Sequence, residues 1–119
     1  MIARWRAFHK KDKKMFYGGQ NEKKYLSFEG RVLDERFEDI TDQVVLMGFS
    51  GHYDRNRTGV WEGDVLRDGK GHKHVVRFED GSFVTAELGK PDVTYFTSCF
   101  EDLEVAGNLW ENPELEREN

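Results

Sequence analysis

Apolar and polar positions along this chain alternate far more often than they repeat at helical spacing. Ala3, Trp5 and Ala7 fall on one face of an extended segment, and Arg4 and Arg6 fall on the other. That period of two predicts a half-buried strand. "HKKDKK" is a polar turn, and Met15-Phe16-Tyr17 then returns to Gly18-Gly19. The pattern predicts a hairpin with its lysines at the tip. Lys24 to Phe28 is a further short strand. Within 29–42, Leu33, Phe37 and Ile40 are spaced four and three apart, which suits a short amphipathic helix. The acids around them suit a loop equally well, and both readings stay open. Gln43 to Phe49 is apolar and predicts a buried strand. "SGHYDRNRTG" follows as a polar connector in which Asp54 and Asn56 close local turns through their side chains. Trp61 to Arg67 is a strand carrying Gly63, the mark of a bulge or a close backbone approach.

Lys73 to Glu79 and Ser82 to Leu88 are joined by Asp80-Gly81, a strong two-residue hairpin signal. That loop length fixes the register: Glu79 opposes Ser82, Phe78 opposes Phe83, Arg77 opposes Val84 and Val76 opposes Thr85. After Pro91, Val93 to Phe100 and Leu103 to Trp110 are the last strands. Asn112-Pro113-Glu114 reads as cap, first-turn proline and favourable acid of a short helix to Glu118. Many short strands with glycine-marked turns predict a mainly β fold. It is a small SH3-like barrel or roll of short antiparallel strands, with an N-terminal hairpin and little helix. The whole chain, 1–119, is read as a single domain. Its parts are a hairpin at 2–18, a variable segment at 18–42, an SH3-like barrel core at 43–110 and an acidic C-terminal tail at 111–119.

Composition limits what such a fold does. Hydrophobic residues make up 37% and charged residues 34%, so nine Phe, four Tyr and three Trp must supply much of the core. The single cysteine, Cys99, excludes an internal disulfide and suits a small buried apolar role in a reducing compartment. The longest apolar run, Val44 to Met47, is too short to span a membrane, and the opening residues lack a signal-peptide stretch. A cytoplasmic location follows as an expectation. Net charge is -5, unevenly spread: residues 1–24 carry eight Lys or Arg and two acids, and residues 101–119 carry seven acids and one Arg. Two solvated ends that attract each other account for this. The alternative is a basic face for nucleic acid, formed by Arg4, Arg6, Lys10, Lys11, Lys13 and Lys14 interleaved with Trp5 and Phe8. If Trp5 faces the core, that face has charge without a stacking ring.

Other constellations are weaker. His72 and His74 alternate in a strand, but no third and fourth metal ligand follows in sequence, so surface histidines are expected and no metal. Glu62 and Asp64 share a face, yet Gly63 between them favours a structural role, with Asp64 capping local amides. Asp54-Arg55-Asn56 lacks the spacing and closing glutamate of a calcium loop. Gly18-Gly19 and Gly69-Lys70-Gly71 lack phosphate-loop spacing. No nucleophile–base–orienter set is visible, so neither enzymatic activity nor a cofactor is expected.

Three stretches carry a resemblance. "ARWRAFHKKDKKMFY", "VVLMGFSGHYDRNRTGVWEGDVLR" and "LEVAGNLWENPELE" resemble, in order and spacing, the YopX family of phage and prophage proteins. Ser50-Gly51 stands for the family's Thr-Gly, Asp54-Arg55-Asn56 for Asp-Lys-Asn, and Trp61-Glu62-Gly63-Asp64 for Tyr-Glu-Gly-Asp. Gly59 is displaced, because the usual Asn-Gly is here Asn56-Arg57, which points to a different turn. Phe8 replaces the usual Trp. Gly107, Asn108, Asn112 and Pro113 belong to the closing motif. The resemblance implies an SH3-like β core, a phage or prophage origin, residence in the bacterial host cell, self-association and no catalytic residues. The expected function is a non-enzymatic accessory protein that binds protein, including a second copy of itself. The alternative is a small nucleic-acid-binding β-barrel.

Overall fold

A computed structural model of the chain describes residues 4–19, 23–89 and 94–116, with the side chains of 94–99 excluded. The expectations for Ala3, Pro91, the Cys99 side chain and the end of a helix at Glu118 lie outside the described residues. The fold is mainly β with little helix. Among the described residues the helical segments are three 3-10 turns, Thr41–Gln43, Thr97–Asp102 and Pro113–Glu116. No helix among them is long and apolar enough to cross a membrane. The chain divides into two compact units, residues 1–48 and 49–119, and the division falls inside one strand.

In the first unit, β1 (Trp5–His9) and β2 (Lys14–Tyr17) form the expected hairpin, with Ala7 opposite Phe16 and Phe8 opposite Met15. On its other edge β1 pairs with the start of β5 (Val44–Tyr53), Ala7 opposite Leu46. β1 is therefore a central strand, and it is covered on both faces. Ala7 packs with Val32, Ile40 and Val44, and Trp5 lies against that cluster. Phe8 packs with Met15 and Met47. This corrects the half-buried reading: Arg6, expected on a solvent face, is 3% exposed. Residues 29–42 form a loop-rich hairpin and not a helix. β3 (Tyr25–Leu26) pairs with β4 (Val32–Leu33), and Leu33 bridges to Asp39.

In the second unit, β5 continues to Tyr53 and so absorbs the start of the expected connector. A register irregularity between Phe49 and Tyr53 accommodates it against β6 (Gly59–Trp61). A turn at Glu62-Gly63 splits the expected Trp61–Arg67 strand into β6 and β7 (Asp64–Arg67). β8 (Lys73–Glu79), β9 (Ser82–Glu87), β10 (Thr94–Phe96) and β11 (Glu104–Asn108) complete a curled antiparallel sheet in the order β10-β9-β8-β7-β11. The β8–β9 register is the expected one, from His74 opposite Glu87 to Glu79 opposite Ser82. The Phe78 and Phe83 rings meet edge to face at 4.8 Å. Asp80 and Gly81 both have positive φ, 50° and 81°, as a primed two-residue loop requires. The core holds Val60, Leu66, Val76, Phe100 and Leu103. The expected strand to Phe100 ends at Phe96, as Thr97–Asp102 turns into 3-10 geometry that buries Phe100.

One turn recurs four times, at Ser27–Arg31, Asp34–Glu38, Asp54–Thr58 and Asp68–His72. In each, the first residue's N–H donates to the fifth residue's carbonyl, and the fourth residue's N–H donates to the first residue's carbonyl. The first side chain accepts the fifth residue's N–H, at 2.8 to 3.0 Å. The fourth residue is left-handed each time: Gly30 at φ 81°, Phe37 at 61°, Arg57 at 64° and Gly71 at 85°. Glycine adopts that conformation freely, whereas a side chain there costs about 1–2 kcal/mol. Two of the four turns carry that cost.

Candidate functional site

The cationic tip is built by β1, β2 and their connection. Arg4, Lys10, Lys11, Lys13 and Lys14 are exposed. Arg6 is buried and does not join them. Lys10 Nζ donates to the Asp42 carbonyl at 3.2 Å. Lys14 Nζ and Lys24 Nζ lie 5.2 and 4.4 Å from the centre of the Phe16 ring. Phe8 and Phe16 are buried, and the indole of Trp5 is seated where a Gly18 side chain would be. The tip presents charge without an open aromatic face.

A second surface lies on the β3–β4 hairpin. Tyr25, Leu26, Phe28 and Phe37 are all exposed, and Phe28 is fully so. Phe37 stacks on Tyr25 with ring centres 5.1 Å apart and planes 23° from parallel. The left-handed fourth position of its turn holds the ring outward. Two ion pairs frame the hairpin, Lys24–Glu35 at 3.3 Å and Arg31–Asp39 at 2.7 Å. Hydrogen bonds from the Thr41 hydroxyl, then from Arg31 and the Thr41 amide, hold the Asp39 carboxyl at about 2.

The central motif organises a cleft of about 630 Å3 at the end of β5. Asp54, 4% exposed, is its anchor. Its Oδ1 accepts the amides of Asn56 and Thr58, and its Oδ2 accepts the amide of Val105 in β11, all at 2.8 Å. Asn56 contributes its backbone, while the carboxylate does the closing. Arg55 donates its amide to the Leu103 carbonyl at 2.9 Å and reaches Glu104 at 3.3 Å. Tyr53, 41% exposed, meets Phe49 edge-on at 5.8 Å, and Phe49 packs on Trp61 at 5.0 Å. His52 stands edge-on to buried Phe100 at 5.9 Å. Gly51 begins the cleft, and Gly59 packs under the Phe49 ring.

The carboxylate pair read from the sequence divides in space. Asp64 is buried, and its Oδ2 accepts the Trp61 amide at 2.8 Å, while Glu62 is half-buried. Gly63 donates its amide to Val76 and accepts from Leu109, so it ties β6–β7 to β8 and the closing segment. His72 Nδ1 and His74 Nε2 meet the same oxygen, Asp68 Oδ2, at 3.3 and 3.2 Å. Burial pushes Asp68 up, but the His74 hydrogen bond, the Lys70 and His72 amides and the charge of His72 outweigh it and hold the carboxyl at about 2. Among the described residues no group of three His, Cys, Asp or Glu is arranged to hold a metal ion.

At the closing motif, the register of β11 against β7 shifts between Val105 and Gly107, and a side chain at Gly107 would run into that of Asn112. Asn112 Oδ1 accepts the Asn108 amide at 3.2 Å, and Asn108 Oδ1 accepts the Trp110 and Glu111 amides. Asn112 thus faces back toward the sheet, and a single 3-10 turn from Pro113 takes the place of the expected helix. Lys73, buried, donates Nζ to the Leu115 carbonyl at 2.7 Å.

Short antiparallel strands, turns closed by Asp side chains and surface patches without a metal cluster among the described residues define a small all-β protein. The chain belongs to the YopX family, whose description, YopX protein, matches residues 4–116. Two solved structures share the fold. One is the crystal structure of protein EF1440 from Enterococcus faecalis, with 23% identity, TM-score 0.64, and coverage of 98% of this chain and 99% of that one. The other is the X-ray crystal structure of protein yopX from Bacillus subtilis, with 17% identity, TM-score 0.66, and coverage of 100% and 99%. Comparison with curated proteins gives no match.

Proposed function

We propose that the protein is a phage or prophage accessory protein of the bacterial cytoplasm that works by binding protein, without catalysis, and that its first partner is a second copy of itself. The exposed Tyr25–Phe37 stack, with Leu26 and Phe28 also exposed on the same hairpin, carries this reading. Exposed apolar side chains of this kind mark contact sites, and Phe37 is held there against its conformational preference. The opposite charges of the two chain ends add a complementary pairing between copies. The alternative, nucleic-acid binding at the hairpin tip, has exposed lysines in its favour but no open ring beside them. Light scattering over a range of concentrations tests the proposal. Wild type is expected to associate, and Phe28→Ser with Phe37→Gly is expected to be monomeric while still melting cooperatively as a folded chain. A wild type that stays monomeric throughout overturns self-association.

A further inference from the structure

We propose that the cleft at Tyr53–Arg57 binds a nucleotide, with its base stacked on Tyr53 and its phosphate held by Arg55 and Arg57. The four like turns act as controls for one another. Gly30 and Gly71 fill the left-handed position without strain, whereas Arg57 fills it at φ 64° and is one of the residues that line the cleft. Among the described residues its guanidinium makes no ion pair or hydrogen bond. No contact among the described residues offsets that strain, and a contact with a ligand is the role assigned to it here.

The rest of the cleft is pre-arranged. Arg55 is oriented by Glu104 at 3.3 Å. The partly exposed Tyr53 ring is fixed edge-on to Phe49, which itself rests on Trp61. Beneath them Asp54 is fastened by three backbone amides. A partly exposed ring lining a cleft together with two arginines is the chemistry of base stacking with phosphate contact. The volume of about 630 Å3 suits one such unit. Glu101 lines the same cleft, where its carboxylate accepts sugar hydroxyls and disfavours a bare polyanion. The N-terminal tip has more cations but lacks the ring, so the two surfaces differ in kind. The ligand is either a free nucleotide or one unit of a single strand.

Calorimetry with adenosine monophosphate and fluorescence anisotropy with a short labelled oligodeoxythymidylate, both at low salt, test the proposal. Inorganic phosphate serves as competitor. Binding by at least one nucleotide probe is expected. Arg57→Gly should bind about tenfold more weakly, while melting at or above the wild-type temperature. That combination excludes misfolding as the reason for the loss. Tyr53→Ala should weaken binding similarly, and Lys11→Glu with Lys13→Glu at the tip should leave the mononucleotide affinity unchanged. Equal affinity for the two probes assigns a free nucleotide, and tighter binding of the oligonucleotide assigns a single strand. The proposal falls if neither probe binds, if Arg57→Gly binds like wild type, or if phosphate displaces the probe as well as a nucleotide does.

Discussion

Replacing Asp54 by alanine probes the joint between the central motif and β11. The carboxylate accepts three amides at 2.8 Å, two within its own turn and one from Val105. Asn56 and Thr58 are exposed, so without the carboxylate their amides turn to water, at under about 1 kcal/mol each. Val105 is half-buried, and its amide loses a charge-assisted partner, which costs about 2–3 kcal/mol. Together Asp54→Ala should lose about 3–4 kcal/mol, a large share of the roughly 5–15 kcal/mol of an ordinary domain. Asp54→Asn is the finer probe. Its carbonyl oxygen keeps the two turn bonds, but its NH2 then faces the Val105 N–H, so it should lose about half as much. Urea titrations followed by tryptophan fluorescence read both values, provided the slopes match wild type. A loss below about 1 kcal/mol for the alanine variant, or an asparagine variant as stable as wild type, would refute the reasoning.

Other consequences follow from single contacts. Gly18→Ala drives a Cβ into the Trp5 indole, which rests on the Ala7–Val32–Ile40–Val44 cluster. It should cost about 1–3 kcal/mol in a thermal melt, and an unchanged melting temperature would disprove the close approach. Lys73→Met leaves the Leu115 carbonyl without its buried donor and should cost about 1–3 kcal/mol in urea; a neutral result argues against that bond. The Asp68 carboxyl lies at about 2 in the fold against an ordinary 3.8, so its contribution is present above the unfolded value and is lost as pH falls toward 2. Melting temperatures should therefore drop over that interval, with a shallower slope in Asp68→Asn, and identical slopes would contradict the assignment.

What the sequence reveals about this fold tracks how local the cause is. The β8–β9 register follows from Asp80-Gly81 alone, because a two-residue primed loop leaves one pairing. The hairpin of β1 and β2 is equally local. Arg6 misleads because alternation reports two faces but not that β1 is central, with β2 on one edge and β5 on the other. Leu33, Phe37 and Ile40 fall at helical spacing while the backbone turns at Asp34–Glu38, so their periodicity is coincidental. The Asp54 link to Val105 and the Lys73 link to Leu115 span 51 and 42 residues and leave no local trace. Arg55 and Arg57 enter the central motif only as turn residues, and Tyr53 carries no sequence signal of a site. The available signal was the arginine following Asn56 where the family's pattern has glycine, and it gained meaning once four equivalent turns were seen side by side. Ser27 with Gly30 and Asp68 with Gly71 show that turn openly, whereas Phe37 and Arg57 conceal it.

The most direct measurement exchanges the residues at matched positions, with Arg57→Gly and Gly71→Arg melted side by side. The two sites share their backbone hydrogen bonds and differ in φ by 21°, at 64° and 85°. Arg57→Gly should gain about 0.5–1 kcal/mol, and Gly71→Arg should lose about 1–2 kcal/mol. Shifts of opposite sign support a surface arginine kept at the expense of stability. A fall in melting temperature for Arg57→Gly, or a Gly71→Arg variant as stable as wild type, would contradict the account.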